Sequence, residues 1–314
     1  MKLPAGYAAR PATHGDLDAV VDLIEAAQLD VMGDTEDVRE YLQWVWHVPY
    51  VDLARDTRLV SAGADLVGYA EAFWDPSSSR PMSVGGIVRP SHRGNGIGAV
   101  ILRRNQEIAR TRGVTALRHP GVHVADLTAR AFLEANGFAH VRNFYTMALA
   151  LPSDRPSVRP DGIEICPFET GRDERALYEN HEATFADHWG FVPESYESFV
   201  GEWYGSSDWV PELTYLAWAG EEAVGHAAAL EFATRGYIGS LGVLRAWRGR
   251  GIAQALLHRT FADLSARGHP EVTLGVDASS PTGAVALYEK VGMSVRYEFR
   301  TYDLGTDEPP IGEG

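Results

Sequence analysis

The sequence has few of the residues that disulfide, metal or membrane chemistry requires. Its 314 residues include one cysteine, Cys166, which excludes an internal disulfide and any multi-cysteine zinc or iron–sulfur site. No uncharged apolar run approaches the ~20 residues that a membrane-spanning helix needs. The N-terminus also has no apolar segment of the kind found in a secretory signal. We therefore expect a soluble, cytoplasmic protein without a metal site.

Basic residues are scarce as well, and lysine is nearly absent. The chain has 28 basic and 43 acidic residues for a net charge of −15, and its only lysines are Lys2 and Lys290. From Pro156 onward there are 12 basic and 25 acidic residues, so most of the excess lies in the second half. This balance argues against nucleic acid and anionic membranes as partners. It suits a cationic substrate, but a solvated acidic surface is the simpler explanation.

What the sequence does contain is a long internal repeat. The segment from Val88 to Gly98 returns as the segment from Val243 to Ala253. A repeat this far apart indicates duplicated domains rather than a solenoid. A stretch rich in proline and polar residues separates the copies. The predicted organisation is an N-terminal domain over 1–151, a linker over 152–161, a C-terminal domain over 162–306 and a disordered tail over 307–314.

Each half alternates predicted strands and helices. In the first half, hydrophobic periodicity predicts strands over 7–10, 58–62, 66–74 and 83–88 and a helix that ends near Thr111. In the second half it predicts strands over 214–219, 223–232, 237–243, 271–276 and 297–304, and helices over 252–267 and 283–291. This order predicts an α/β fold in each half, with a mixed, mostly antiparallel sheet flanked by helices.

The repeated segment is a glycine-rich turn between a strand and a helix. The first amides of a helix have no intrahelical partner and lie at its positive end, and glycines let an anion approach them. Such a turn is suited to a phosphate or pyrophosphate, to which Arg248 and Arg250 can add charge-assisted hydrogen bonds. An ordinary helix start is the alternative, but two copies favour the anion site. The turn lacks the Gly-Lys-Ser/Thr ending of a P-loop and the acidic residue of a dinucleotide fold.

Both turns resemble the acetyl-CoA signature of the GCN5-related N-acetyltransferase (GNAT) superfamily. The residues that match its Arg-x-x-Gly-x-Gly/Ala pattern are Arg93, Gly96 and Gly98 in the first half and Arg248, Gly251 and Ala253 in the second. The segments 9–17, 131–138 and 277–293 also resemble the family's opening and closing motifs. The resemblance covers both halves. It implies two tandem domains of this family, each with a splayed strand at an acyl-CoA site.

The resemblance also implies which residues meet acetyl-CoA. In this family, the strand before the turn pairs its backbone with the pantetheine arm, and the amides of the turn bind the pyrophosphate. Ser280 stands where the family often has an asparagine near CoA. The implied contacts are Leu241, Val243, Arg248, Gly249, Arg250, Gly251, Ile252, Ala253 and Ser280 in the second half and Gly86, Val88, Arg93, Gly94, Asn95, Gly96, Ile97 and Gly98 in the first.

Acyl transfer from a thioester to an amine requires a base for the amine and a proton donor for the leaving thiolate. Tyr288 matches the family's frequent general acid, whereas the first half has Leu133 at the equivalent position, which cannot donate a proton. We therefore predict that the C-terminal half is catalytic. The N-terminal half then either binds acyl-CoA without turnover or braces its partner domain. Packing of the Tyr288 ring in the core is the alternative role for that residue.

The base and the acceptor site are predicted from position in the chain. Glu231, near the end of a predicted strand, is the candidate base, with a water relay as the alternative. His226 lies on the same strand at an odd spacing and should face the opposite way. The resemblance places the segment around residue 189 where the family's first helix gives way to a loop over the acceptor site. There Trp189 and Phe191 could form an aromatic wall and Asp187 could attract an ammonium group. Packing against the sheet is the other interpretation of this segment.

Together these observations predict an N-acetyltransferase that uses acetyl-CoA and acetylates a primary amine of a small molecule. A monomer is expected, since the tandem domains resemble the pair that single-domain relatives form. Two alternatives stay open. One is a narrower similarity to mycothiol synthase, against which Tyr237 stands where that pattern has a glutamate and Ser280 replaces its asparagine. The other is a module that binds CoA or another ligand without turnover.

Overall fold

The computed structural model describes residues 2–36, 38–153, 156, 158–204 and 209–305. These residues divide into two compact units. The N-terminal unit comprises the chain up to Asn143 together with the chain from Phe299, and the C-terminal unit comprises Phe144–Glu298. The predicted tail over 307–314 lies outside the described residues, as do positions 154, 155 and 157 of the predicted linker.

The elements follow the predicted alternation of strands and helices. In the first half they are β1 (Tyr7–Arg10), α1 (Leu17–Met32), α2 (Arg39–His47), α3 (Leu53–Asp56), β2 (Thr57–Ala62), β3 (Asp65–Phe73), β4 (Met82–Val88), α4 (Ile97–Arg112), β5 (Ala116–His123), α5 (Leu127–Ala135) and β6 (Ala139–Ala150). In the second half they are β7 (Glu164–Pro167), α6 (Glu174–Phe185), α7 (Tyr196–Tyr204), β8 (Trp209–Ala219), β9 (Glu222–Glu231), β10 (Gly236–Val243), α8 (Ile252–Ala266), β11 (Glu271–Asp277), α9 (Ala284–Lys290) and β12 (Ser294–Gly305).

The sheet of each unit is mixed and mostly antiparallel, as predicted. In the N-terminal unit the strand order is β1-β2-β3-β4-β5 followed by the end of β12. In the C-terminal unit the end of β6 is followed by β11-β10-β9-β8-β7. The parallel pairs recorded for the described residues are β4 with β5 and β10 with β11. These are the strands on either side of each glycine-rich turn and its helix.

The last strand of each half completes the sheet of the other unit. Residues Phe144–Ala150 of β6 pair with β11, and residues Phe299–Gly305 of β12 pair with β5. The strand pairing therefore divides the chain differently from the sequential boundaries at 151 and 306. The residue pattern of a strand determines which of its faces is buried but does not say which sheet edge it joins. For this reason the exchange was not visible in the sequence.

Each sheet has helices on both faces because its strands bury alternate side chains on opposite sides. The helix after the glycine-rich turn packs on one face: α4 buries Ile97 and Ile101, and α8 buries Ile252 and Leu256. On the other face, α1 and α2 pack over β2 and β3, and α6 and α7 pack over β8. None of the helices in the described part of the chain is long and apolar enough to cross a membrane.

Candidate active site

The glycine-rich turn of the C-terminal unit links β10 to α8. Gly249 and Gly251 have φ values of 78° and 80°, in the left-handed region that other residues rarely adopt, and Gly251 caps the helix. The first α-helical hydrogen bond runs from the Ala255 amide to the Gly251 carbonyl, so the preceding amides have no helical acceptor. The turn therefore offers backbone N–H groups at the positive end of a helix, which fits the pyrophosphate of a CoA thioester.

The arginines of this turn are anchored within it. Arg248 Nε donates to the Val243 carbonyl at 3.1 Å, and the Arg250 guanidinium lies 4.5 Å from the centre of the Trp247 ring. A Cβ at Gly251 would come within 2.9 Å of the Val158 side chain, so a side chain there would meet both backbone strain and a close neighbour. The contacts of Arg248 and Arg250 with phosphate stay a prediction.

The N-terminal unit repeats the same backbone geometry. Gly94 and Gly96 both have a φ of 79°, and Gly96 caps α4 as Gly251 caps α8. Arg93 Nε lies 3.4 Å from the Val88 carbonyl, and the Arg93 guanidinium also forms an ion pair with Asp30. Asn95 donates to the His92 carbonyl at 3.2 Å. The second turn is thus built like the first.

A splay between two parallel strands lies beside each turn. β10 pairs with β11 at Gly236 and Tyr237 and then continues along β9 as far as Val243. No β11 partner is recorded for the described residues 238–243. In the N-terminal unit, β4 pairs with β5 at Met82 and Ser83 and then continues along β3 as far as Val88. The predicted splayed strand is therefore confirmed in both units.

One difference separates the two splayed strands. The pairing of β9 with β10 shifts register between Ile238 and Ser240, so Gly239 forms a β-bulge, whereas β3 and β4 pair regularly from Ser83 to Val88. A bulge adds one residue and re-aims the side chains that follow it. The bulge lies at a glycine, whereas the repeat places Val84 at the same position of β4.

Tyr288 lies on α9 in the apolar cluster that also contains Ile238 of β10 and Leu274 of β11. The side chain is 8% exposed. Burial and the nearby Tyr237 raise the pKa of Tyr288 above its ordinary value. Leu133, its counterpart in the N-terminal unit, is buried among apolar side chains. The structure therefore shows Tyr288 packed in the core beside β10 and β11, and its role as proton donor stays a prediction.

Glu231 is held by two basic groups. Its carboxylate accepts from Arg267 Nη1 at 2.9 Å and lies 2.9 Å from His269 Nε2. Glu231 pairs with Gly236, at the closed end of the splay and the opposite end of β10 from the glycine-rich turn. Since both carboxylate oxygens have partners and the side chain lies away from the open strands, this geometry argues against Glu231 as the base.

His226 faces away from Glu231, in agreement with the odd spacing. It is fully buried beneath α6, with Nδ1 2.7 Å from Asn180 Oδ1 and Nε2 2.8 Å from Ser240 Oγ. His181 Nδ1 lies 3.2 Å from the same Ser240 hydroxyl. Burial lowers the pKa of His181 to about 4. His181 and Ser240 were not among the residues predicted for the site, although the alternation of β10 already places Ser240 on the face opposite Leu241.

The predicted acceptor segment follows α6. Asp187 is exposed, whereas Trp189 and Phe191 are half-buried, with ring centres 6.1 Å from Phe144 and 6.5 Å from His181, respectively. Burial lowers the pKa of His188, in the same segment, which also feels the charges of Arg248 and Asp277.

Those two charges stand where β10 leads into the turn and where β11 ends, so the segment passes the open end of the splay. Nearby, Ser280 is within 2.8 Å of the Thr282 hydroxyl, in the turn that precedes α9.

Comparison with known proteins agrees with this geometry. The family model described as "Acetyltransferase (GNAT) family" matches residues 20–138 and again 175–293. A mycothiol acetyltransferase of Thermobispora bispora is 30% identical over 301 residues, which span 90% of this chain and 94% of the relative. A mycothiol acetyltransferase of Thermomonospora curvata is 32% identical over 254 residues, which span 78% of this chain and 80% of that protein.

Solved structures agree as well. A GCN5-related N-acetyltransferase from Sphaerobacter thermophilus has a TM-score of 0.84 at 32% identity and covers 99% of this chain and 98% of its own. A tandem GNAT protein from the clavulanic acid biosynthesis pathway has a TM-score of 0.75 at 14% identity, over 96% of this chain and 99% of its own, which shows the shared fold.

Two glycine-capped turns and two splayed strands, each inside a matched segment, define the class of protein. The chain belongs to the acetyltransferase (GNAT) family, with two such domains in tandem. It is an N-acetyltransferase of the family that uses acetyl-CoA.

Proposed function

We propose that the C-terminal unit transfers the acetyl group of acetyl-CoA to a primary amine of a small molecule. The observation that carries the proposal is the position of the Gly251-capped turn, which follows the part of β10 that pairs with β9 and has no recorded β11 partner. In one unit, this arrangement provides donors for a pyrophosphate and a free strand edge for an amide-containing chain. The cytoplasmic location and the monomeric state expected from the sequence belong to the same proposal.

The backbone provides the proposed acyl-CoA site. Leu241 and Val243 pair with β9 on one side, and their other side faces the splay, where the pantetheine amides would bind. The amides from Gly249 to Ala253 would take the pyrophosphate, with Arg248 and Arg250 beside them. Ser280 precedes α9, where its hydroxyl can donate to CoA.

Tyr288 is the proposed proton donor to the leaving thiolate. Its raised pKa favours the protonated phenol that a general acid requires. An amide of the splayed strand can donate to the oxyanion. With both oxygens of Glu231 engaged, we propose that the amine of the acceptor loses its proton to water.

The proposed acceptor binds beside Asp187, Trp189 and Phe191. The carboxylate can attract an ammonium group, and the two half-buried rings supply an apolar wall. A second candidate acceptor is supported by the comparisons, because relatives that span most of this chain are named mycothiol acetyltransferase. We therefore include the desacetyl form of mycothiol among the candidate amines.

Calorimetric titration with acetyl-CoA and an assay of thiol release together test the proposal. The assay uses acetyl-CoA with a fixed panel of glucosamine, spermidine, tyramine and desacetyl mycothiol. We expect amine-dependent thiol release and a binding event that Gly251→Glu removes, because the new carboxylate repels the pyrophosphate. Gly96→Glu, the matched change in the N-terminal unit, should leave this event intact. A titration in which Gly251→Glu removes no binding event, or an absence of thiol release with every amine, would contradict the proposal.

A further inference from the structure

The N-terminal unit has a carboxyl group beside its own splay. Glu71 of β3 pairs with Gly85 of β4, two residues past the point where β4 leaves β5. A Cβ at Gly85 would lie 2.8 Å from Glu71 Cγ and Oε1, so the Glu71 side chain crosses β4 through the space that the glycine leaves. The carboxyl group thus lies over a part of β4 that has already separated from β5.

A chain of hydrogen bonds fixes the orientation of this carboxyl group. The Tyr69 hydroxyl donates to Glu71 Oε2 at 2.9 Å, and Trp46 Nε1 donates to the Tyr69 hydroxyl at 3.1 Å. Tyr69 and Trp46 are 2% and 3% exposed, so both are locked in the core. On the opposite face, Asn105 donates to the backbone carbonyls of Glu71 and Gly85 at 3.2 and 3.4 Å and ties the two strands together.

Glu71 has no cationic partner among the described residues. No ion pair to it is recorded there, and no described group donates to Oε1. Burial raises the pKa of Glu71 to about 7, against the lowering effect of the Tyr69 hydrogen bond. Glu71 is half-buried, and a carboxylate in such a position without a counter-charge is destabilised, a cost that a cationic ligand would relieve. The group is therefore suited both to bind an ammonium ion and to accept a proton from it.

Tyr41 of α2 lies within electrostatic range of the same carboxyl group. Its side chain is nearly half exposed, and burial together with the charge of Glu71 raises the pKa of its hydroxyl. Tyr50 lies close enough to act on the same hydroxyl, and Trp44 packs 6.2 Å from the Tyr41 ring with its own ring exposed. Rings beside a carboxylate favour a cation because their faces carry partial negative charge.

From these contacts we infer that the N-terminal unit holds a second acceptor site, in which Glu71 binds the ammonium group of a primary amine and removes one proton from it. This inference rests on the proposed function, because it places a second acyl-CoA along β4 and on the turn from Gly94 to Gly98. It goes beyond that function by giving the N-terminal unit a reaction of its own.

The step at this site balances without any further reactant. The ammonium group gives one proton to Glu71, and the free amine then forms a bond to the thioester carbonyl carbon. The carbon–sulfur bond breaks with its electron pair on sulfur, and the second proton of the nitrogen ends on the thiolate. Glu71 releases its proton to solvent. Leu133 leaves this unit without the phenol that the other unit places at the equivalent position, so the sulfur is protonated from the amine by way of water.

The experiment measures thiol release with the same amine panel in chains whose C-terminal site is disabled in two ways. Gly251→Glu blocks its cofactor turn, and Tyr288→Phe removes its proton donor. We expect both variants to retain amine-dependent thiol release. Adding Glu71→Gln to either variant should lower the rate of that release at least about 100-fold. Adding Glu107→Gln, which alters an exposed carboxylate on α4, should leave it unchanged.

The outcomes separate the two proposals. Release in the wild-type chain that disappears in both disabled variants would overturn the second site and leave the proposed function standing. Release that is insensitive to Glu71→Gln would also overturn it. No release from the wild-type chain with any amine would contradict the proposed function and, with it, the second site. Calorimetry with acetyl-CoA on each Glu71→Gln chain, in which binding should match its parent, shows that a lost rate does not come from misfolding.

Discussion

The two units differ in the side chain that packs beside their splayed strands, which is Tyr288 in the C-terminal unit and Glu71 in the N-terminal unit. Tyr288 has Leu133 as its counterpart, and Glu71 corresponds by strand pairing to Ala228 of β9. The backbone is alike in both, because the turn glycines have φ values of 78° to 80° and each splay opens after two parallel pairs. The two units therefore share the backbone geometry proposed to bind the cofactor. The side chains proposed for proton transfer differ between them.

The largest expected effect is that of Tyr288→Phe in a chain whose N-terminal turn is blocked by Gly96→Glu. We expect kcat to fall about 1000-fold with little change in acetyl-CoA affinity, because a proton donor acts mainly in the transition state. Tyr302→Phe is the matched control, since it removes a hydroxyl that donates to Glu134 in the other unit. Steady-state thiol release gives kcat. An unchanged kcat would mean that Tyr288 is only a core residue.

The free energy of unfolding should depend on pH through Glu71 of the N-terminal unit. Folding raises the pKa of Glu71 from 4.5 to about 7, so between these values the folded chain binds more protons than the unfolded chain. Stability therefore falls as the pH rises through this window and stays level above it. Glu71→Gln removes the penalty and should stabilise the chain by about 3 kcal/mol at pH 8 and by less than about 1 kcal/mol at pH 5.

Urea unfolding at the two pH values measures this difference. Glu107→Gln, in the same unit, should show no such dependence on pH, because its carboxylate is exposed. If Glu71→Gln were destabilising at pH 8, the carboxylate would have a stabilising partner in solution. This result would contradict the prediction that Glu71 lowers the stability of the N-terminal unit.

Tyr69→Phe should have a smaller effect on the stability of the N-terminal unit. The change removes the donor to Glu71 Oε2 and the acceptor of the Trp46 N–H, and we expect a loss of about 1 kcal/mol in stability. Since this hydrogen bond lowers the pKa of Glu71, its removal should shift the pH window of the previous prediction upward. Urea midpoints measured across the pH range would reveal the shift. A window that stays in place would mean that the bond does not form in solution.

The smallest expected effect is that of Glu231→Gln in the C-terminal unit. Its partners Arg267 and His269 form partly exposed ion pairs, which are worth about 0–1 kcal/mol. We expect kcat to stay within about twofold of its original value, because the side chain lies at the closed end of the splay and its oxygens are engaged. A fall of 100-fold, measured in the Gly96→Glu chain, would restore Glu231 as the base.

The sequence predicted those features that depend on local backbone requirements. The glycine-rich turns, the strands around them and the splay follow from a repeated motif and its family resemblance, and the strand ends agree to within a few residues. The partners of Glu231 could not be predicted, because Arg267 and His269 lie in the turn that follows α8. Glu71 escaped notice for a related reason: its significance depends on Gly85, on the neighbouring strand, and on Trp46, in a helix. The exchange of β6 and β12 depends on sheet edges, about which a strand's own pattern carries no information.

The exchange of these strands ties the completion of each domain to the length of chain already synthesised. When the first 143 residues have left the ribosome, the strand that pairs with β5, Phe299–Gly305, has not yet been translated. The edge of β5 in the N-terminal domain therefore stays open until residues 299–305 have been translated. A gene cut at the linker would separate each sheet from its closing strand, and only co-expression of the two pieces would restore both.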